Sequence, residues 1–296
     1  MASRELQTNA DRVNDIADNL VNKYLNSGYM GLIDSEHFYI RSAKKNIERL
    51  IGKIDTSEDA ILYSSAMGMV YAAQGRFSQA KVEYNKVIKL VPKFGDHFSN
   101  YNTVLMGAGD FGVAKADLEE YFSNGGNDFE LLLNLFSSSC WDLDFASFEK
   151  HYESVRGKDV LIPSVKGALE FHYQRIDQWD SLRDDLSSIG ISISLYSEFY
   201  KLLNVFHDKH LYGALIIRFE IDNDEDQCLV VDVYSHISNS EALKLTSEFE
   251  SYMVKYAIAN NKRELLSKFL LFFKDISTRH EEDSSYIYLS SDSLGG

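Results

Sequence analysis

Cysteine and proline are almost missing from this sequence of 296 residues, which has two of each. Two cysteines cannot form the disulfide framework of a small secreted domain, so Cys140 and Cys228 are expected to be buried thiols in a reducing compartment. With so few prolines and only 17 glycines, extended linkers and long disordered segments are also unexpected. We therefore expect a chain that folds over most of its length.

Long apolar runs and net positive charge are absent as well. No run reaches the length of a membrane span, and the N-terminal segment MASRELQTNADRVNDIADNL lacks the apolar core of a signal peptide. Lysine and arginine number 30 against 45 aspartates and glutamates, a formal net charge of −15. An acidic surface repels nucleic-acid phosphates and anionic lipids, so we expect neither nucleic acid nor a membrane as a partner. The sequence thus predicts a cytoplasmic protein.

Motifs that define a reaction are also missing. The sequence has no phosphate-binding glycine loop, no G-x-S-x-G elbow and no H-E-x-x-H zinc helix. His207 and His210 are three residues apart, but no further ligand lies near them in the sequence, so a solvated helix end is expected. The run Asp222–Asp226 lacks the glycine and distal glutamate of a calcium loop, which favours a solvated hairpin tip. We expect no catalytic residue, no metal and no cofactor.

What the sequence does contain is a spaced pattern of small and aromatic residues between Ile61 and Phe94. Its members are Gly68, Tyr71, Gly75, Ala80, Tyr84 and Pro92. Small residues allow two helices to cross closely, and Gly75 between them suits a positive φ. Pro92 ends the second helix and turns the chain. The pattern predicts two antiparallel helices in about 34 residues.

The pattern recurs with a 34-residue step. Aromatic residues predicted to open the second helix of each unit are Phe77, Phe111, Phe145 and Trp179. Matching positions further along these helices are Ala80, Ala114, Phe148 and Leu182; Tyr84, Leu118, Tyr152 and Leu186; and Val87, Tyr121, Val155 and Ile189. Turn positions are Gly75, Gly109, Asp142–Asp144 and Asp177, and Pro163 is expected to repeat the exit role of Pro92. Four units are predicted, at about 61–94, 95–128, 129–162 and 163–196.

These units resemble the tetratricopeptide repeat (TPR). The resemblance implies a mainly α fold in which residues 61–210 form a right-handed solenoid. Residues 1–60 are expected to be N-terminal helices forming an irregular capping repeat, with one helix up to about residue 26 and a second around Phe38 to Ile51. Phe148 and Leu182 replace the usual small residue, which predicts looser stacking after about residue 140.

Residues 211–296 have a different period and are predicted to form a small α+β module. Leu215–Ile221 and Cys228–Tyr234 are rich in β-branched residues and flank the acidic run, which favours a β-hairpin. The rival interpretation makes 211–221 another repeat helix, with Ala214 as its small residue. Further on, a long helix from Ser240–Glu241, a helix over 263–276 and a last strand at Tyr286–Leu289 beside the hairpin are expected.

In the resembled family, the first helix of each unit lines a binding groove. The corresponding positions are Leu62, Ser65, Met69 and Ala73; Ser99, Thr103 and Met106; Leu133, Ser137 and Trp141; and Gly167, Phe171 and Arg175. Family members that clamp a C-terminal carboxylate use Lys and Asn at such positions, whereas Ser65 and Met69 stand here. An almost uncharged groove suits an amphipathic helix or an extended apolar peptide. The chain's own N-terminal or C-terminal helix could fill it equally well.

Three hypotheses about function follow. The first is a non-enzymatic interaction scaffold (an adaptor, a secretion-type chaperone, or an antitoxin or immunity partner of a basic target), with Met69, Met106, Trp141 and Phe171 as anchors. The second is an enzyme whose site lies in 211–296. A pocket collecting Arg218, Glu220, Asp232 and His236 would favour it, and a solvent-facing sheet surface would count against it. The third is a homo-oligomer joined by Tyr- and Phe-rich faces.

Overall fold

The fold was derived from a computed structural model. It describes residues 9–20, 31–32, 38–51, 59–95, 97–159, 161–212, 215–222, 227–279 and 286–289. Within these ranges the chain is mainly α-helical and ends in a small α+β module with a β-hairpin, as predicted. Residues 1–8, 21–30, 223–226 and 290–296 lie outside the described residues, and so do parts of the predicted first helix and the acidic hairpin tip.

The helices, in chain order, are α1 (Asn9–Leu20), α2 (Phe38–Ile51), α3 (Asp59–Ala73), α4 (Phe77–Val87), α5 (Phe98–Gly107), α6 (Phe111–Ser123), α7 (Leu131–Ser139), α8 (Ala146–Val155), α9 (Pro163–Tyr173), α10 (Ile176–Ser188), α11 (Ile193–His210), α12 (Asn239–Asn260) and α13 (Glu264–Lys268). The strands are β1 (Gly31–Leu32), β2 (Leu211–Tyr212), β3 (Leu215–Asp222), β4 (Cys228–Ser235), β5 (Phe269–Asp275) and β6 (Tyr286–Leu289), and a 3₁₀ turn spans Ile276–Thr278. We call α3, α5, α7 and α9 the A helices, and α4, α6, α8 and α10 the B helices.

The 34-residue step is visible in the burial of the B helices. Tyr84, Leu118, Tyr152 and Leu186 are each at most 1% exposed. Gly68 of α3 lies against the Tyr84 ring, and Gly75 and Gly109 adopt positive φ in their turns. Small residues therefore stand where helices cross closely or where the backbone needs a left-handed conformation.

The helices of the later units approach one another less closely, as expected. The backbones of α9 and α10 are farther apart than those of α3 and α4. The interior remains filled there, because Phe145, Phe148 and Trp179 are buried around Phe136.

Some predicted turn positions were wrong. Pro163 begins α9, where its missing N–H is not needed, instead of ending α8. The fourth turn lies at Gln174–Arg175, so Asp177 and Trp179 fall inside α10. In the third turn Leu143 carries the positive φ.

Helix α11 leaves the repeat pattern and crosses the turns between A and B helices. Tyr196 reaches the carbonyl of Cys140 in the third turn, and Asn204 reaches the carbonyl of Met106 at the second. Asp208 reaches Phe77 after the first turn, and β2 then pairs with β1, between α1 and α2. One continuous segment thus contacts four successive helical hairpins.

The C-terminal sheet has the order β5-β4-β3-β6. Strands β3 and β4 form the predicted antiparallel hairpin, so the helical interpretation of 211–221 is wrong. Strand β6 pairs with β3, as expected for the last strand. Strand β5 runs parallel to β4, and α12 makes the crossover.

The prediction of a helix over 263–276 is wrong, because only Glu264–Lys268 is helical. Phe269, Leu271 and Phe273 are buried, whereas Leu270 and Phe272 are 43% and 41% exposed. This two-residue period belongs to a strand with one face on the core. Phe269 stacks on Phe199 of α11 with ring centres 4.2 Å apart. Helix α11 is therefore packed between the hairpin turns and the sheet.

Candidate functional site

The thirteen residues predicted to line the groove differ widely in exposure. Buried are Ser65, Ala73, Met106, Leu133 and Ser137; half-buried are Leu62, Met69, Ser99, Thr103, Trp141 and Arg175; and Gly167 and Phe171 are exposed, Phe171 by 42%. The A helices do carry these positions, apart from those that fall in the turns that follow them. The half-buried and exposed members are the ones a partner could reach.

The groove is interrupted in the middle. Every residue of α7 is buried, including Leu133 and Ser137 at predicted groove positions. An extended peptide therefore cannot contact all four A helices along one line. Apart from half-buried Trp141, the accessible positions fall into a first part on α3 and α5 and a second part on α9 and in the turn that follows it.

The first part, which we call the α3–α5 surface, consists of Leu62, Met69, Ser99 and Thr103. Hydroxyl groups near it have side-chain hydrogen-bond partners. Ser65 Oγ lies 3.2 Å from His97 Nδ1, and Asn134 Nδ2 donates to Thr103 Oγ1 over 3.4 Å. This surface offers methyl groups and neutral polar atoms, which suit apolar side chains and peptide backbone.

The second part combines a cation with aromatic rings. The guanidinium carbon of Arg175 lies 4.4 Å from the centre of the Phe171 ring. Behind it, His172 stacks on Phe136 with ring centres 4.3 Å apart. Burial lowers the pKa of His172 to about 4, so this imidazole is neutral near pH 7. Arg175 thus presents a positive charge at this end.

Two expected anchors serve packing. The Trp141 ring lies against Gly112, where an added Cβ would meet it at 3.1 Å, and its indole nitrogen is buried. Asn204 of α11 donates to the Met106 carbonyl over 3.0 Å. Helix α11 therefore covers the groove's turn end at Met106, and Leu62 and Met69 of the α3–α5 surface pack against the hydrophobic cluster that α1 and α2 form with α3.

The α+β module contains a cleft of about 560 Å³. Its polar lining is Arg218, Tyr234, Asn239, Lys274, Asp275 and Thr278. It lies where the parallel strands β4 and β5 end and α12 begins, a common place for ligand sites in α/β structures. Lys274 Nζ, however, lies 2.6 Å from Asp232 Oδ2, so the buried carboxylate neutralises this cation.

The other candidates in the module lie outside the cleft lining. Glu220 and His236 are exposed, while Asp232 is buried beneath Arg218 and Lys274. The four residues proposed to collect in one pocket are therefore divided, and only Arg218 lines it.

The pair His207 and His210 is not a solvated helix end, which corrects the expectation. His207 is buried, and burial lowers its pKa to about 4. His210 faces Glu248 across 3.7 Å. In the described part of the chain no three His, Cys, Asp or Glu side chains converge as metal ligands. Among the same residues, no helix has the length and apolar character needed to cross a bilayer.

Sequence analysis missed the stripe of α11 that contacts the hairpin turns. Tyr196, Tyr200, Asn204 and Asp208 are spaced by four residues and therefore share one helix face. The sequence signal that could have identified this stripe was the position of polar Asn204 and Asp208 on an otherwise apolar helix face.

Comparison of the chain with protein-family models, curated protein sequences and solved structures finds no significant match.

Proposed function

We propose that this protein is a non-enzymatic interaction scaffold that holds a protein segment on its α3–α5 surface. The segment is an amphipathic helix or an extended apolar peptide, from a partner that is basic enough to be steered by the net charge of −15. Such a protein serves as an adaptor, a secretion-type chaperone or an antitoxin-like or immunity-like partner. We place it in the cytoplasm, where its two buried free cysteines would remain reduced.

One observation carries this proposal. Leu62, Met69, Ser99 and Thr103 are uncharged, partly exposed positions on two successive A helices of an acidic protein, although Leu62 and Met69 also pack against the core that α1 and α2 form with α3. Burying apolar surface there contributes about 25 cal/mol per Å², offset by the entropy of ordering the ligand. The TPR resemblance adds support, because the same side of the hairpins binds ligands in that family.

The test compares charge substitutions on the two sides of the same hairpins. Ser99→Lys with Thr103→Lys places two cations on the α3–α5 surface. The matched control, Val82→Lys with Val113→Lys, places two on exposed positions of the B helices. Circular dichroism checks that both variants fold, and partners are captured from cell extract and identified by mass spectrometry. We expect loss of a specific partner with the first variant alone. Equal recovery by all three proteins would contradict the proposal.

The cleft in the module favours one second candidate, an enzyme that uses the repeats for targeting. Arg218 and Lys274 would hold an anionic substrate group if the substrate displaced Asp232 from Lys274. A thermal-shift screen of small carboxylates and phosphate esters tests this function. Stabilisation that disappears in Lys274→Ala supports it, and no stabilisation by any compound counts against it.

A further inference from the structure

The stripe on α11 acts as a strap across the hairpin stack. Tyr196 contacts the third turn, Tyr200 stacks on Phe111 after the second, and Asn204 and Asp208 continue toward the first. Twelve residues of helix span roughly 18 Å. That distance equals two steps of about 9 Å between stacked helices. The spacing of the contact residues along α11 therefore matches the spacing of three successive hairpin turns.

Asp208 holds the end of the strap. Its side chain is 8% exposed, and its Oδ1 accepts a hydrogen bond from the backbone N–H of Phe77 over 3.3 Å. Phe77 begins α4, and Arg76 before it provides no capping side chain. Asp208 therefore replaces the missing N-cap from another helix. Three residues later, Leu211 pairs with Leu32 in β1.

The carboxyl group of Asp208 lies in an environment that disfavours charge. No cation among the described residues forms an ion pair with it, and its neighbour Lys209 points its amine toward Tyr252. The other charged residues on the elements around Asp208 are Arg76 and Glu248. Arg76 lies in the first turn and is exposed, and Glu248 of α12 faces His210. His207 beside it is buried and neutral. Burial raises the pKa of Asp208 to about 7, and this effect outweighs the Phe77 hydrogen bond and the charge of Lys209, which both lower the pKa.

We propose that the C-terminal end of α11 is a pH-responsive latch on the first hairpins of the stack. With Asp208 protonated, the neutral acid accepts the Phe77 hydrogen bond and the latch is closed. When Asp208 loses its proton, the buried carboxylate favours opening, and α11 and β2 separate from α4 and β1. The latch needs no partner, so it can be tested separately from the proposed function.

The direction of the pH effect follows from linkage. The closed state binds the Asp208 proton more tightly than the open state does, so closure is favoured at low pH and weakens as pH rises through 7. His207, with its lowered pKa, acts in the opposite direction. Comparison of wild type with Asp208→Asn at each pH separates the effect of Asp208 from that of His207, because asparagine keeps the acceptor and the shape of the side chain but cannot ionise.

Hydrogen–deuterium exchange of the whole protein tests the latch. Peptides covering 77–84 and 204–212 are followed at pH 5.5 and 7.5 in wild type, Asp208→Asn and the exposed control Asp184→Asn. We expect the opening of the wild type relative to Asp208→Asn to increase roughly twentyfold between these pH values. The control should behave as wild type. An unchanged ratio would overturn the proposal.

A second measurement does not depend on the variant's folding. Carbon-13 NMR of the assigned Asp208 carboxyl group in wild type gives its titration midpoint directly. A midpoint near 7 supports the latch. A midpoint below 5 would overturn it, because the carboxylate would then be charged in the closed state throughout the neutral range.

Discussion

Two glycines in the interior of A helices should respond to the same substitution with opposite signs. At Gly68 in α3, an added Cβ would lie 2.6 Å from Tyr84 Cε2 and 2.7 Å from Cδ2. At Gly167 in α9, the same atom would have no neighbour within 4 Å. Both variants gain the helix propensity of alanine, so the difference between them reports the packing of α3 on α4.

The expected magnitudes come from these distances. Contact between carbon atoms is comfortable at about 3.5–4.0 Å, so the Tyr84 ring would have to move by about 1 Å. That ring is fully buried. Overpacking costs about 1–3 kcal/mol and alanine returns about 1 kcal/mol, which leaves a net loss of up to about 2 kcal/mol for Gly68→Ala. Gly167→Ala should stabilise the protein by about 0.5–1 kcal/mol.

Urea unfolding followed by far-UV circular dichroism measures both values. The midpoint should fall for Gly68→Ala and rise for Gly167→Ala, with the slope m unchanged. If both substitutions raise the midpoint by similar amounts, Gly68 does not face Tyr84, and the close crossing of α3 and α4 is wrong. Gly107→Ala, whose Cβ would meet the Phe77 ring at 2.5 Å, repeats the test between α4 and α5.

Two further predictions concern the core. Phe269→Ala removes the ring that stacks on Phe199 and should lower the free energy of unfolding by roughly 3–5 kcal/mol, whereas Phe272→Ala on the outer face should lower it by about 1 kcal/mol or less. Equal losses of stability in urea unfolding would contradict the orientation of β5. The lowered pKa of His172 contributes stability that is present above about pH 6.5 and is lost as pH falls toward 4. Between these values wild type should therefore lose up to roughly 3 kcal/mol more than His172→Phe, and parallel pH profiles would count against burial of this imidazole.

The repeat and the hairpin could be predicted because their signals are local. A turn glycine such as Gly75 needs a positive φ wherever the hairpin lies, and the spacing of Ala80 and Tyr84 follows from the helix period. The strand Phe269–Asp275 could not be separated from a helix by such signals. Its run of Phe and Leu fits either structure, and the choice depends on hydrogen bonds to β4, some 40 residues earlier.

The candidate site likewise has features that the sequence could predict and features that it could not. The sequence predicted that Leu62, Met69, Ser99 and Thr103 lie on one side of the A helices, and in the structure these residues are half-buried. It gave no sign that Leu133 and Ser137 are covered, because their exposure depends on how closely neighbouring hairpins approach one another. It also treated His207–His210 as a solvated end, since nothing local shows that α11 lies beneath a sheet.

By itself the sequence determined which segments are helices, where they turn and which residues face the interior of each hairpin, because backbone sterics and helix periodicity act over a few residues. Only the tertiary structure decided that α11 and β2 contact four hairpins, that α7 closes the groove and that Asp208 caps α4. The contacts of α11 and β2 join residues 56 to 181 positions apart. Burial and charge environment at such contacts are set by the packed fold, so they carry no local sequence signal.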